Sequence, residues 1–554
     1  MKQLIKDAVI NGLEQCRASG LLSGEGCPDF VVEVPNHSDH GDFAVNVAMM
    51  LAKAERKAPR QIAEILLQQL QSSQGPWQRI EIAGPGFINF FLKPICWYGL
   101  LADIYRQGEH YGRGTLGAGR KVQVEFVSAN PTGPLHIGHG RGAATGDAVA
   151  SVLQEAGFDV QREYYINDAG NQMDTLGRSI FLRYQQLCGR DVEFPADCYQ
   201  GDYIRDEAQI ILDREGERFL RMEEGEAIRW FACHGGEAIR RGIDADLQQF
   251  GVHFDNWYSE QSLYDRNLVA EGIEALKEGG HIYEQDGAQW FRTTAFGDDK
   301  DRVLVRSNGA TTYFASDVAY HREKYQRGFD TVIDVWGADH HGYVPRMKAV
   351  LSALKRDPED LQIILVQLVN LLRDGVQVAM STRSGTFVTL KEVLDEVGRD
   401  ACRFFFLMRR SDSQLDFDLE LAKKQSTENP VYYVQYAHAR VCSINRNAAE
   451  AGLTLPGADQ VDLGKLELAE ELALAKMLER YPQVICGAAQ HFEPHRLTFY
   501  VQELAAQFHS YYNQYRVIVD DRATTLARLY LVNAIRIVIQ NGLRVLGVSA
   551  PEQM

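Results

Sequence analysis

VQVEFVSANPTGPLHIGHGRGAATGDAVASVLQEAG, residues 122–157, is the stretch that decides the fold. Its first six residues, VQVEFV, are an apolar run that predicts a strand. A turn rich in Asn, Pro and Gly follows, and RGAATGDAVASVLQEAG then has the spacing of a helix. Strand, glycine-containing turn and helix open a βα nucleotide-binding unit, in which ligands sit beyond the carboxyl ends of parallel strands. Further apolar strands are predicted at TVIDVWG (331–337) and QIILVQLVN (362–370). A long charged helical stretch at about 200–280 lies between them and reads as a connective insertion, about 195–300 in extent.

The flanks differ from this centre. Residues 1–110 read as a small α/β unit. A helix carries Leu4, Ile5, Ala8, Val9 and Leu13, an extended piece FVVEV follows, and two more helices run through NVAMMLAK and PRQIAEILLQQL. Trp77 to Leu92 then predicts two strands around a Gly-Pro-Gly turn. The glycine-rich GRGTLGAGRK (112–121) reads as a linker. From Asn429 onward, Leu, Ala, Tyr and Val recur at helical spacing, which predicts a bundle. The expected domains are therefore 1–110, 111–428 and 429–554.

With 45% hydrophobic and 24% charged residues over 554 positions, the chain is an ordinary globular protein of several domains. No charge-free run of 18 apolar residues occurs, so no spanning helix is expected. The start, MKQLIKDAVINGLEQC, is an amphipathic helix rather than a secretory leader. Nine cysteines without a CxxC pair read as reduced thiols in a cytoplasmic protein, with no structural zinc. The net charge of −17 at first argues against a polyanionic partner. However, residues 111–430 hold 37 basic and 51 acidic side chains, whereas residues 1–110 hold 10 and 12 and residues 431–554 hold 11 and 12. The ends are near neutral and remain open to such a partner.

Within the turn, His136 and His139 stand three apart at the start of the predicted helix. A helix N-terminus attracts phosphate. Imidazole N–H groups there can stabilise charge that develops during phosphoryl chemistry. Gly138 between them lets a purine lie against the backbone. The alternatives for such a pair are a zinc site or two surface histidines; no cysteine or third histidine lies near in sequence, which weakens zinc.

The peptide NPTGPLHIGHGRG (130–142) resembles the HIGH signature of class I aminoacyl-tRNA synthetases, and EFVSANPTGPLHIGHGRGAATGDAVA (125–150) resembles the arginyl-tRNA synthetase family. EYYINDAGNQM (163–173), YFASDVAYH (313–321), VWGADHHGYVPRMKAVL (335–351) and MSTRSGTFVTL (380–390) resemble that family in the same order, as does the closing LGVSAPEQM. The resemblance implies an α/β fold: a Rossmann-like class I catalytic domain, an N-terminal additional domain thought to touch the tRNA elbow, and a C-terminal all-α anticodon-binding bundle. It implies an arginine–tRNA ligase that uses ATP and Mg²⁺, and a cytoplasmic monomer without a membrane partner. It further implies that arginine activation waits for tRNA.

Residue by residue, the resemblance places His136 and His139 on the triphosphate. Pro134, Gly138, Gly337 and Asp339 come near the rest of ATP, with Gly337 at the adenine edge and Asp339 at the ribose. The second superfamily signature, KMSKS-like, falls on Ala379, Met380, Ser381, Thr382, Arg383, Ser384 and Gly385. Both of its lysine positions are altered, to Ala379 and Thr382. Relatives that lack the second lysine can carry a substitute just before the HIGH turn, a place held here by Gly133. Arg383 is then the remaining cation for pyrophosphate. Glu125, Ser128, Asn130, His139, Tyr313, Asp317 and His340 are the residues implied around arginine.

Tyr313 and Asp317 share a face if their stretch is helical, although Asp317 could equally cap a helix and Tyr313 could pack a core. Adjacent His340 and His341 would point to opposite faces of a strand, against a shared metal. In the C-terminal region, Tyr432, Tyr433, Tyr436, Arg440, Arg446, Tyr511, Tyr512, Tyr515, Arg516, Arg522, Arg528, Arg536 and Arg544 could stack on splayed bases or pack the bundle. Two rivals stand beside the ligase: a HIGH-superfamily enzyme that activates a small acid without tRNA, and a non-catalytic RNA-binding relative. The two flanking domains argue against the first, and the intact His136, His139, Glu125, Tyr313 and Asp317 argue against the second.

Overall fold

In the computed structural model the opening stretch forms strand β1 (Lys121–Glu125), a turn, and helix α1 (Ile137–Glu155). All residues are described except 25, 36, 74 and 379–387. They fall into two units. The first comprises Met1–Gly108, Ile444–Arg480 and Gln507–Ile537. The second comprises Glu109–Ser443, Tyr481–Ala506 and Val538–Met554.

The second unit is built on a five-stranded sheet. Chain order adds β2 (Asp159–Ile166), β3 (Asn256–Ser259), helix α2 (Tyr313–Gln326), β4 (Thr331–Gly337) and β5 (Leu361–Val366). The strands lie in the order β5-β4-β1-β2-β3 and every pairing is parallel. In β1, Val122 through Glu125 are all buried, the polar Gln123 and Glu125 included, because both faces of a parallel sheet are covered. Helix α1 is buried on nearly every side. Its small residues let it press against the sheet, and a Cβ on Gly146 would fall 2.2 Å from Phe126 Cγ.

Three sequence expectations change in detail. The glycine-rich 112–121 segment is no slack linker. Its Gly114, Gly117 and Gly119 N–H groups donate to the carbonyls of Glu155, Ala156 and Gly157, satisfying the end of α1. QIILVQLVN is two strands, not one. Leu361–Val366 joins the parallel sheet, whereas Val369–Arg373 pairs with Val376–Gln377 and Leu415–Asp418 in a separate sheet. The charged helical stretch holds Asp202–Glu215, Glu224–Gln249, Gln261–Asp265 and Leu268–Glu278, and it is interrupted by β3, the edge strand of the central sheet.

In the first unit, strands Trp77–Ala83 and Phe87–Leu92 form the expected hairpin, with Ile80 opposite Phe90 and positive φ at Gly84 and Gly86. Phe43–Val45 and Val32–Glu33 complete its antiparallel sheet. Helices Lys2–Ala18 and Pro59–Ser72 bury Ile5, Val9, Leu13, Ile62 and Leu66. After residue 429 the chain is helical in Pro430–Glu450, Ala469–Glu479, Tyr481–His491, His495–Gln514 and Arg522–Val545.

Candidate active site

The carboxyl edge of the central sheet gathers most of the expected site residues. His136 is the N-cap of α1, and its Nδ1 accepts from Gly138 N–H at 3.1 Å. His139 Nδ1 accepts from His136 N–H at 3.3 Å, and the two rings stack at 3.6 Å. Burial lowers both imidazole pKa values. For His139, burial and the neighbouring ring bring it down to about 3. Both rings are therefore neutral at pH 7. With each Nδ1 accepting a backbone N–H, each ring proton sits on Nε2. Two fixed N–H donors thus stand at the positive end of a helix dipole. Gly138 is needed because a Cβ there would lie 2.9 Å from the His136 ring.

The turn is held from outside as well. Val388 O accepts from Ile137 N–H, Leu135 O accepts from Leu390 N–H, and His136 bridges to Thr389. Residues 388–390 follow the second signature after two intervening residues. Met380, Ser381, Thr382 and Arg383 themselves lie outside the described residues. Behind the turn, Val127 and Ser128 both take positive φ (67° and 40°), a costly conformation for a β-branched residue. It turns Ser128 Oγ back to donate to Glu125 Oε1 at 3.0 Å while accepting from Tyr165 N–H. Asn130 and Pro134 lie partly exposed in the same turn.

Helix α2 begins at this edge. Tyr313 is its first residue and is exposed, and Asp317 follows one turn later on the same side. The N-cap is Thr312, so Asp317 is not a cap. Tyr343 donates its hydroxyl to Asp317 Oδ2, and burial raises the Asp317 carboxyl above its ordinary pKa. Beside it, Glu260 follows β3 directly. It is 3% exposed, and burial with Asp317 and Asp168 nearby pushes its pKa up to about 7. Glu260, Tyr264, Arg306 and Tyr313 line a cavity of about 490 Å³. Burying several carboxylates together is unfavourable until a cation joins them.

A row of carboxylates lies beneath. Asp334 on β4 pairs in register with Glu125 on β1, and Glu125 with Glu163 on β2. These neighbouring side chains share one face of the sheet, about 4.8 Å apart from strand to strand. Helix α2 covers them with cations. Lys324 Nζ lies 2.5 Å from Glu125 Oε2 and 2.8 Å from Asp334 Oδ1, and Arg327 grips Glu163 with both terminal nitrogens. His321 Nε2 is 2.9 Å from Asp334 Oδ2, and Tyr320 donates to Glu163. Burial would raise Asp334, but Lys324 and His321 hold it at about 2, whereas burial dominates at Glu125 and raises its pKa.

Gly337 ends β4. Asp339 and His340 follow in a helical turn, Ala338–Tyr343, rather than on a strand; both are exposed and 3.5 Å apart. The reading of 340–341 as strand residues is thus corrected, because the strand stops where β4 runs out of neighbours. The structure brings together His136, His139, Glu125, Ser128, Asn130, Tyr313 and Asp317, with Gly337–His340 emerging from the same edge of the sheet. Sequence reasoning missed Glu260, Tyr165, Tyr343 and Lys324. Tyr165 and Tyr343 lie within the stretches 163–173 and 335–351 that resemble the family, and Lys324 continues the helical spacing of Tyr313, Asp317 and His321; Glu260 left no such signal. Among the described residues no group of three or more His, Cys, Asp or Glu side chains could hold a metal.

In the C-terminal helices, Tyr511 is buried and donates to Glu471, which also takes Arg528. Arg544 pairs with Glu155. Tyr512, Arg516 and Arg522 stay exposed.

Comparison with known proteins agrees along the whole chain. Residues 2–92 match the family described as Arginyl tRNA synthetase N terminal domain. Residues 101–418 match tRNA synthetases class I (R), catalytic domain, and residues 434–554 match the DALR anticodon binding domain. The chain is 68% identical to an Arginine--tRNA ligase of Syntrophotalea carbinolica and 61% identical to one of Citrifermentans bemidjiense, each covered over 100% of both chains. Its fold is like that of the Thermus thermophilus arginyl-tRNA synthetase, with a TM-score of 0.74 at 24% identity over 100% of both chains.

Proposed function

The chain belongs to the arginyl-tRNA synthetases, and from that membership we propose how its own residues carry the reaction. It is an arginine–tRNA ligase that activates arginine with ATP and charges tRNA with it. The observation that carries the residue assignment is one sheet edge holding both neutral N–H donors and an excess of buried carboxylates.

The Nε2–H groups of His136 and His139 hold the triphosphate, aided by the α1 N-terminus. The arginine carboxylate attacks the α-phosphorus in line, and arginyl-adenylate forms as pyrophosphate leaves. The 2′-hydroxyl of the terminal tRNA adenosine then takes the arginyl group, releasing AMP. No covalent enzyme intermediate is involved; positioning and charge stabilisation do the catalysis. Mg²⁺ would arrive on the ATP phosphates, with water as its other ligands, since the described residues offer no dedicated cage. Pro134, Gly138, Gly337 and Asp339 receive the nucleoside. Met380, Ser381, Thr382 and Arg383, which lie outside the described residues, are assigned to the pyrophosphate by the family resemblance.

Asp317 and Glu260 pair with the substrate guanidinium, Tyr313 covers it, and Glu125, Ser128, Asn130, His139 and His340 surround the α-amino end. Glu260 must be ionised to serve. The kcat/KM for arginine should therefore rise with pH through about 7, as the free enzyme loses that proton. Glu260→Gln should flatten this limb. A limb that survives the substitution would remove Glu260 from the site.

Residues 1–110 are assigned to the tRNA elbow and 429–554 to the anticodon, where exposed Tyr512, Arg516 and Arg522 are available to stack on bases. We place the enzyme in the cytoplasm as a monomer. Aminoacylation of bulk tRNA with arginine is the direct test. Arginine-dependent ATP–pyrophosphate exchange should be absent without tRNA and appear when it is added; fast exchange in its absence would refute that order.

A further inference from the structure

The carboxylate row poses a question of charge. Asp334, Glu125 and Glu163 stand side by side on β4, β1 and β2. Glu163 is fully provided for: Arg327 holds both of its oxygens, and Tyr320 and Asn256 add one bond each. Glu125 and Asp334 instead divide a single ammonium between them. Asp334 has His321 on its other oxygen. Among the described residues Glu125 has only the Ser128 hydroxyl there, and of the three it alone keeps some exposure, 8% against 0% for the others.

Lys324 is 0% exposed, and its aliphatic stem is packed with its ammonium 4.3 Å from the Tyr320 ring centroid. Its three donors are aimed by this packing and cannot follow the substrate. A buried lysine of this kind is costly unless it has a task or exact compensation. It also stands on the helix whose first two turns carry Tyr313 and Asp317, so one rigid element links the proposed guanidinium contacts to the carboxylate at the α-amino end.

We propose that Lys324 is a positioning residue for arginine: it bridges Glu125 to Asp334, fixing the Glu125 carboxylate in place and leaving one of its oxygens only half compensated for the ammonium of the substrate. The inference rests on the reading of Glu125 as an arginine contact. Lys324 touches neither substrate nor reacting atoms and acts through Glu125 alone. Without it, Glu125 and Asp334 face each other as like charges, one takes up a proton, and the acceptor for the substrate is lost or turned away.

Kinetics of Glu125→Gln, Lys324→Met, Lys324→Arg and the double variant Lys324→Met/Asp334→Asn test this. Glu125→Gln comes first. If it leaves the arginine KM unchanged, the reading of Glu125 fails, and the inference with it. If it raises that KM, the lysine variants judge Lys324 separately. Lys324→Met should raise the arginine KM at least tenfold, with the ATP KM within twofold and kcat at saturating arginine within threefold. Lys324→Arg, which keeps the cation, should recover to within threefold of the parent.

The double variant removes the cation together with one of its two carboxylates, which limits the uncompensated charge left in the core to Glu125. Its arginine KM should remain at least tenfold raised. A purely structural lysine predicts the opposite, namely a double variant with the parent KM, or arginine and ATP constants rising together. Either result overturns the proposal. So does loss of the fold in both Met variants while Lys324→Arg stays folded with an unchanged KM, which would assign the lysine to the core alone.

Discussion

His139→Ala is expected to lower kcat for arginylation by about 10²–10³-fold, the usual cost of removing one preorganised donor from developing charge. The argument is geometric. His139 is a neutral ring whose Nδ1 is taken by the His136 N–H, so Nε2 is its only donor and the protein fixes its direction. Its pKa of about 3 means that no proton enters or leaves it near neutrality. The loss should therefore be the same at pH 7 and pH 8.5, which separates it from the Glu260 limb. Arginine-tRNA affinity should change less than twofold, because a ring assigned to the triphosphate has no part in holding an anticodon. Steady-state charging and filter binding on one preparation decide the matter. Charging at the parent rate would strip His139 of its role.

Asp317→Asn is the second large effect, an expected loss of roughly 10²–10³-fold in kcat/KM for arginine, in line with about 2–5 kcal/mol for breaking a buried charge pair. Asparagine keeps the shape and still offers an oxygen to the Tyr343 hydroxyl. What disappears is the charge, and with it the match to a planar cation. The ATP KM should stay within threefold. Equal losses for arginine and ATP would mean that the substitution merely loosens α2.

The parts of this enzyme that announce themselves in sequence are local. A strand, a Gly-Pro turn and a small-residue helix occupy consecutive positions, so residues 122–157 disclose both the βα unit and the paired histidines. Tyr313 and Asp317 are named through the family resemblance; their spacing of four adds only that they share a helical face. Glu125, Glu163 and Asp334 become neighbours only through strand register, across more than 200 positions of chain, and no local pattern carries that. Glu260 follows a four-residue edge strand hidden in a charged helical stretch. The QIILVQLVN run looks continuous because composition does not show where a strand changes sheet. The break falls at Gln367, whose carbonyl is claimed by the buried Arg141 of α1. The strand TVIDVWG ends at Gly337 as its sequence predicts, but Ala-Asp-His-His carried no sign that a helical turn follows.

Helix α2 carries the proposed substrate contacts in its first two turns and is anchored by Lys324, and by Arg327 just past its end, to three separate strands. A substrate pocket is often treated as a transplantable cassette, a handful of contact residues to be redrawn for another amino acid. Here such a transplant would fail in most recipient scaffolds. The contacts arrive with a foundation spread over β1, β2 and β4, and retargeting the enzyme to a neutral amino acid would require rebuilding that foundation as well as the visible pocket wall.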